Sequence, residues 1–139
     1  MSSSSTRWRT ANPEAAKRIR DRAYAKAKST KEGMDKIRAW NRGYLARIRD
    51  AAFMAYGGYK CACCGETERH FLSLDHVNND GHLHRRMLTP TRGSRGSGAA
   101  FFTWLKKHNY PSGLLQVLCM NCNCGKHRNG GICPHQSKG

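Results

Sequence analysis

The chain has no run of about 18 consecutive apolar residues, so no membrane-spanning helix is expected. Its first residues, Met1-Ser2-Ser3-Ser4-Ser5-Thr6, lack the apolar stretch of a secretory signal and read as a disordered lead-in. Hydrophobic residues make up only 38% of 139, and 14 Gly dilute them further. One ordinary domain with an appended arm fits that length, and a structural metal would add stability that burial alone supplies poorly. Acidic residues are also scarce: 9 Asp and Glu face 25 Lys and Arg, for a net charge of +16. An excess of that size on a small body points to a nucleic-acid partner rather than a membrane. The seven Cys are an odd number and do not suit a disulfide framework, so a reducing, intracellular compartment is expected.

What is present begins with two cysteine pairs, Cys61/Cys64 and Cys119/Cys122, each spaced C-x-x-C. Four thiolates at this spacing close all four positions of a tetrahedral Zn²⁺, leaving no room for water, so this zinc would be structural. Cys63 and Cys124 leave only one intervening residue to their nearest partners. Together with Cys133 they are expected to be bystanders, and Cys133 with His135 makes only an incomplete second pair. Between the knuckles, Phe71 to Val77 alternates as a strand and ends in Asp75-His76. A second strand, Leu114 to Leu118, enters the second knuckle, and Asn123 follows at once.

Residues 7 to 57 read as basic helix. Asn12-Pro13-Glu14 supplies an N-cap, a proline at the first helical position and an acid near the positive end of the dipole. Ser29-Thr30-Lys31-Glu32 fits a capping box for a further helix. Along it Met34, Ile37, Tyr44, Ile48 and Ala52 form a stripe that would pack on the domain. Residues 1 to 60 carry 15 Lys and Arg against 5 Asp and Glu, which places +10 of the +16 in this half. Glu14…Arg18-Ile19-Arg20 is echoed by Glu32…Lys36-Ile37-Arg38, as in two similar basic helices following one phosphate backbone.

Beyond Asp75-His76, the stretch Asn78 to Arg86 reads as a polar loop in which His82 and His84 touch DNA or solvent, or form an H-x-H metal pair. Thr89 to Gly98 is a Gly/Ser/Thr segment with Arg92 and Arg95, suited to phosphates. Ala99 to His108 reads as a short helix anchored by Phe101, Phe102, Trp104 and Leu105, and Tyr110-Pro111-Ser112-Gly113 turns into the second strand. The tail, Gly130 to His135, is expected to fold back loosely.

Cleaving a phosphodiester requires a base to deprotonate water, a cation to stabilise the departing oxygen, and positive charge to hold the polyanion. A neutral His supplies the first, and hard oxygen donors suit Mg²⁺ for the second. The strings Leu74-Asp75-His76-Val77 and Leu115-Gln116-Val117-Leu118-Cys119-Met120-Asn121-Cys122-Asn123-Cys124-Gly125-Lys126 resemble those of HNH endonucleases. More narrowly, residues 57 to 135 are similar to small phage HNH proteins with a four-cysteine zinc, often free-standing or intron-borne homing-type enzymes. Cys133-Pro134-His135 is similar to their frequent ending.

The resemblance implies an α+β chain: a zinc-stapled ββα-metal domain over 58–139, preceded by a basic helical DNA-binding arm over 1–57. It implies a Mg²⁺-dependent DNA endonuclease, with Mn²⁺ as a substitute metal. His76 would be the general base, Asp75 and Asn123 the ligands of the catalytic ion, and His127, one turn beyond Asn123, a further catalytic candidate. Arg18, Arg20, Arg38, Arg42, Arg49, Arg85, Arg86, Arg92, Arg95, Lys126 and Arg128 would meet the backbone of double-stranded DNA. One site cuts one strand, so a monomer would nick and a dimer assembled on DNA would break both. If the protein is phage-encoded it would act in the host cytoplasm. Leu114 stands where the motif's middle Asn usually lies, a role Asn78 or Asn79 would take. The alternative is a zinc-stabilised protein that binds DNA or RNA without cutting it.

Overall fold

The computed structural model describes residues 4–88 and 98–137. It is a mixed α+β structure in which, among the described residues, helices carry most of the chain and two strands form one sheet. No helix among the described residues is long and apolar enough to cross a membrane. The chain divides into two compact units, Met1–Tyr44 and Leu45–Gly139.

The first unit contains α1 (Ser4–Ala11), α2 (Pro13–Lys28) and the opening turns of α3 (Lys31–Ala55). Ser4 to Thr6, expected to be a disordered lead-in, are the first turn of α1. Asn12 precedes α2, with proline at its first turn as expected, but its amide caps nothing there; it donates back to the carbonyl of Trp8 at 3.0 Å. The capping box is also displaced. Thr30, not Ser29, receives the N–H of Gly33 through its hydroxyl at 3.1 Å. Glu32 pairs with Lys36 at 2.6 Å instead of reaching back. With Ala16 its only buried residue, α2 has little packing to hold it, and Ile19, Tyr24 and Trp40 are exposed.

The second unit is built on the sheet. β1 (Leu72–His76) pairs antiparallel with β2 (Leu115–Cys119), and the register sets Asp75 opposite Gln116 and His76 opposite Leu115. A 3₁₀ turn at Arg69–Phe71 leads into β1. The last turns of α3 bury Ile48, Ala52 and Phe53, so a division after residue 57 would remove Phe53 (1% exposed) from the core. Phe53 stacks on Tyr59 with ring centroids 4.7 Å apart. Asp50 binds both the Tyr59 hydroxyl and, at 2.6 Å, the Arg69 guanidinium. Aromatic stacking and charge thus tie α3 to the segment that carries the first knuckle.

One hydrophobic cluster gathers Phe53, Leu72, Val117 and Leu118 around the cysteines; a second gathers Ala52, Leu105 and Leu115 under Phe101, Phe102 and Trp104. The latter residues lie on α5 (Gly98–Lys107), within one residue of the expected helix. Gly81–Leu88, expected within a polar loop, is a helix, α4. Its burial explains the difference: His84 turns inward against Trp104 and Phe101, giving the segment an anchored face. The chain then runs from β2 directly into α6 (Met120–Arg128).

Candidate metal centre and adjoining cleft

The first knuckle is a tight loop. Cys61 receives the N–H of Gly65 at 3.0 Å, while Ala62 donates to Val117 at 2.8 Å, which joins the loop to β2. Gly65 takes φ +83, a conformation that side chains disfavour, and so lets the knuckle close. Across from it Cys119 ends β2 and caps α6, its Sγ accepting the N–H of Cys122 at 3.4 Å.

The ligand atoms of Cys61, Cys64, Cys119 and Cys122 all lie within 4.8 Å of one another, as the spacing led one to expect. Cys64 and Cys119 are 3.6 Å apart at sulfur. Ligands bound at about 2.3 Å around a tetrahedral ion stand about 3.8 Å apart, so the donor set fits zinc or a similar metal. Burial pushes the Cys61 thiol up, but N–H groups of Cys64, Cys119 and Cys63 outweigh it and bring it to about 6. Burial raises the Cys122 thiol, reinforced by its neighbouring cysteines. Were these four sulfurs ionised together at this spacing their charges would repel, and a cation held among them removes that repulsion, which is the electrostatic reason to place a metal there.

A second group is also assembled: Cys63, Cys122, Cys133 and His135 lie within 4.8 Å of one another. This corrects the expectation that Cys63 and Cys133 stand aside and that the tail is loose. Cys133 is 3% exposed, and Nδ1 of His135 is 3.4 Å from the sulfur of Cys122. Sequence spacing could not show this, because C-x-C and C-x-H pairs come together only through the fold. Cys124 is exposed and belongs to neither group.

Beside the cysteines lies a cleft of about 300 Å³ lined by Leu74, Asp75, His76, Asn79, His82, Arg85, Asn123 and His127. β1 provides Asp75 and His76, and α6 provides Asn123 and His127 one turn apart on one face. All four expected catalytic residues therefore open onto the same space. The amide nitrogen of Asn123 donates to Ser73 Oγ at 3.1 Å, which fixes the amide's orientation.

Three partners were not foreseen. Lys126, expected at the phosphate backbone, is 6% exposed; its ammonium lies 2.6 Å from Asp75 Oδ2 and also donates to the carbonyls of His76 and Val77. Gln116, directly across the sheet, donates to the same carboxylate oxygen at 3.0 Å. His84, expected in a loop, is 6% exposed with its Nδ1 2.9 Å from Nε2 of His76. Because His82 and His84 are two positions apart on α4, they point to different sides, and His82 alone opens onto the cleft. The string His82-Leu83-His84-Arg85-Arg86 did not by itself reveal which histidine turns inward.

Burial lowers the pKa of His76, and the nearby charges of Arg85 and Lys126 add to this against the opposing pull of Asp80 and Asp75. Burial likewise lowers His84, with His76 adding to the effect. Gly81 backs directly onto the ring of His76: a Cβ there would lie 2.9 Å from Nδ1. Asn79 adopts φ +59 and its N–H binds the carbonyl of His76, closing the turn after β1.

Arg85 lines the cleft, and Arg86 and Arg128 are exposed nearby in the sequence. Arg18, Arg20, Arg38 and Arg42 are exposed on the helices of the first unit; Arg38 contacts Asp35 at 3.6 Å. Arg49 lies over the ring of Phe53 at 5.6 Å. Arg92 and Arg95 lie outside the described residues. Comparisons with family models, with curated proteins and with solved structures return no match to this chain.

Proposed function

We propose that the protein is a divalent-metal-dependent DNA endonuclease of the HNH type, its β1, β2 and α6 forming a ββα-metal unit stapled by zinc. The observation that carries this reading is the cleft shared by Asp75, His76, Asn123 and His127, with Arg85 at its wall. A base, oxygen donors and a cationic side chain in one open space are the groups that phosphodiester hydrolysis needs.

In this reading His76 takes a proton from water. The bond to His84 governs which nitrogen can do so. If Nε2 of His76 donates to Nδ1 of His84, Nδ1 of His76 keeps its lone pair for water. The reverse arrangement occupies both nitrogens. Burial holds the ring neutral at physiological pH, as a base requires.

Asp75 and the carbonyl oxygen of Asn123 would hold Mg²⁺ or Mn²⁺, which when bound supplies charge stabilisation for the departing 3′-oxygen. Asn123 fits this role because its nitrogen is already committed to Ser73. Arg85, His127 and the exposed arginines of α2 and α3 would bind phosphates. Such binding is salt-dependent and reads little sequence.

A second reading, a zinc-stabilised binder of DNA or RNA that does not cut, is favoured by one specific observation. Lys126 already neutralises the Asp75 carboxylate. Plasmid relaxation separates the two. Wild-type protein should convert supercoiled to nicked circles with Mg²⁺ and not with EDTA, and His76→Ala should not do so under either condition. Equal behaviour of all four samples would leave the binder.

A further inference from the structure

The two cysteine groups share one residue, Cys122. From this we infer a binuclear metal cluster: one ion held by Cys61, Cys64, Cys119 and Cys122, a second by Cys63, Cys133, His135 and the same Cys122, whose sulfur bridges both. The inference does not depend on whether the protein cuts DNA.

Three observations support the second site. The first is spacing. Nδ1 of His135 lies 3.4 Å from the sulfur of Cys122 and 3.7 Å from that of Cys133. A nitrogen at about 2.0 Å and a sulfur at about 2.3 Å around a tetrahedral zinc stand about 3.5 Å apart. These distances bracket that edge, whereas an ordinary imidazole–thiol contact would not require a second thiol and a third to gather around the same ring.

The second is the way the chain delivers the ligands. Cys63 lies between Cys61 and Cys64, and the tight knuckle sends it to the opposite group from its neighbours. After α6, Gly130 and Gly131 take φ +65 and +98, and the N–H of Gly131 bonds to the carbonyl of Lys126 at 2.9 Å, which reverses the chain. Gly125 has no side chain where Pro134 packs; a Cβ there would stand 3.0 Å from the proline ring. The tail is thereby laid against α6 with Cys133 buried and His135 at Cys122.

The third is charge. One Zn²⁺ with four thiolates leaves −2 at the centre of the unit. A second Zn²⁺ brings +2, and the two new thiolates, Cys63 and Cys133, bring −2, while His135 is neutral. The second ion therefore fills its site without changing the net charge beside the buried sulfurs of Cys122 and Cys133. Cys122 is 0% exposed, so no water competes with a second cation for its sulfur. Because Cys122 precedes Asn123, the shared sulfur would also fix the rotation of α6 toward the cleft.

Native mass spectrometry and elemental analysis of the full chain, purified in reducing, zinc-supplemented buffer, test this. Two zinc ions per chain are expected. His135→Ala and Cys63→Ser should each fall to one, with far-ultraviolet circular dichroism unchanged. Titration of the metal-free chain with Co²⁺ gives an independent readout: the electron paramagnetic signal should grow to one equivalent and decline toward two, as a sulfur bridge couples the ions. A single zinc per wild-type chain would overturn the inference, as would two ions retained in His135→Ala or a cobalt signal that grows linearly to two equivalents. A Cys63–Cys133 disulfide, detected by mass after alkylation of the protein as purified, would overturn it equally.

Discussion

Nε2 of His76 and Nδ1 of His84 are 2.9 Å apart, so one proton lies between a half-buried imidazole and a buried one. Both pKa values are lowered, chiefly by burial. Below the ordinary imidazole value near 6.5 the unfolded chain takes up protons that the folded chain refuses. Stability contributed by this pair is therefore complete above about pH 6.5 and lost as pH falls through the lowered values. Urea midpoints measured from pH 8 to pH 5 should decline on the acid side, and His84→Phe should flatten that decline. The same variant should shift the acid limb of plasmid nicking, because His76 loses its partner.

Lys126 and Asp75 form a buried pair, with side chains 7% and 13% exposed. Removing one member leaves an uncompensated charge, which costs about 3–5 kcal/mol. Lys126→Met should lower unfolding stability by that order in urea titration, although the surface charge pattern barely changes. Lys126→Met combined with Asp75→Leu should recover most of the loss.

Gly81 abuts His76 closely enough that a methyl group would lie 2.9 Å from Nδ1. Gly81→Ala should displace the ring while leaving the zinc ligands untouched. A misplacement of about 1 Å at a reacting group can cost about 100-fold in rate. Nicking should fall by at least ten-fold with zinc content and DNA affinity preserved, a combination that filter binding and elemental analysis would check.

Arg18, Arg20 and Arg42 are exposed on the first unit's helices. If each neutralises one phosphate, replacing each with Ala should reduce the slope of log K against log salt by about 0.9. Fluorescence anisotropy with a duplex at several salt concentrations gives the slope. Unchanged slopes would move the DNA-binding surface to α4 and α6.

Chelation should unfold the second unit, since its hydrophobic cluster is built around Cys61, Cys119, Cys122 and Cys133. Structural zinc contributes about 10–16 kcal/mol in small domains. Incubation with a strong chelator should abolish near-ultraviolet dichroism, and added Zn²⁺ should restore it.

The sheet, the first cysteine group and the four side chains that share the cleft were legible because their signals are local: alternation, C-x-x-C spacing and one helical turn between Asn123 and His127. α5 was legible from its aromatic face. The roles of Lys126, His84, Cys63 and Cys133 were not. Each depends on contacts spanning from 8 to 70 residues of sequence, and a lysine between a glycine and a histidine looks the same whether it faces phosphate or a buried carboxylate. α4 was missed because its polar residues resemble a turn, and only the pocket for His84 makes it a helix. The capping box failed by one residue because Thr30 offers the same hydroxyl as Ser29.

Cys119 is at once the last residue of β2, the cap of α6 and a member of the first thiol group. The joint between strand and helix therefore has no spare residue. One extra amino acid there would rotate α6 by about 100° and carry Asn123 and His127 out of the cleft. An insertion anywhere from Gln116 to Asn123 is therefore expected to dismantle the cleft and the first thiol group together.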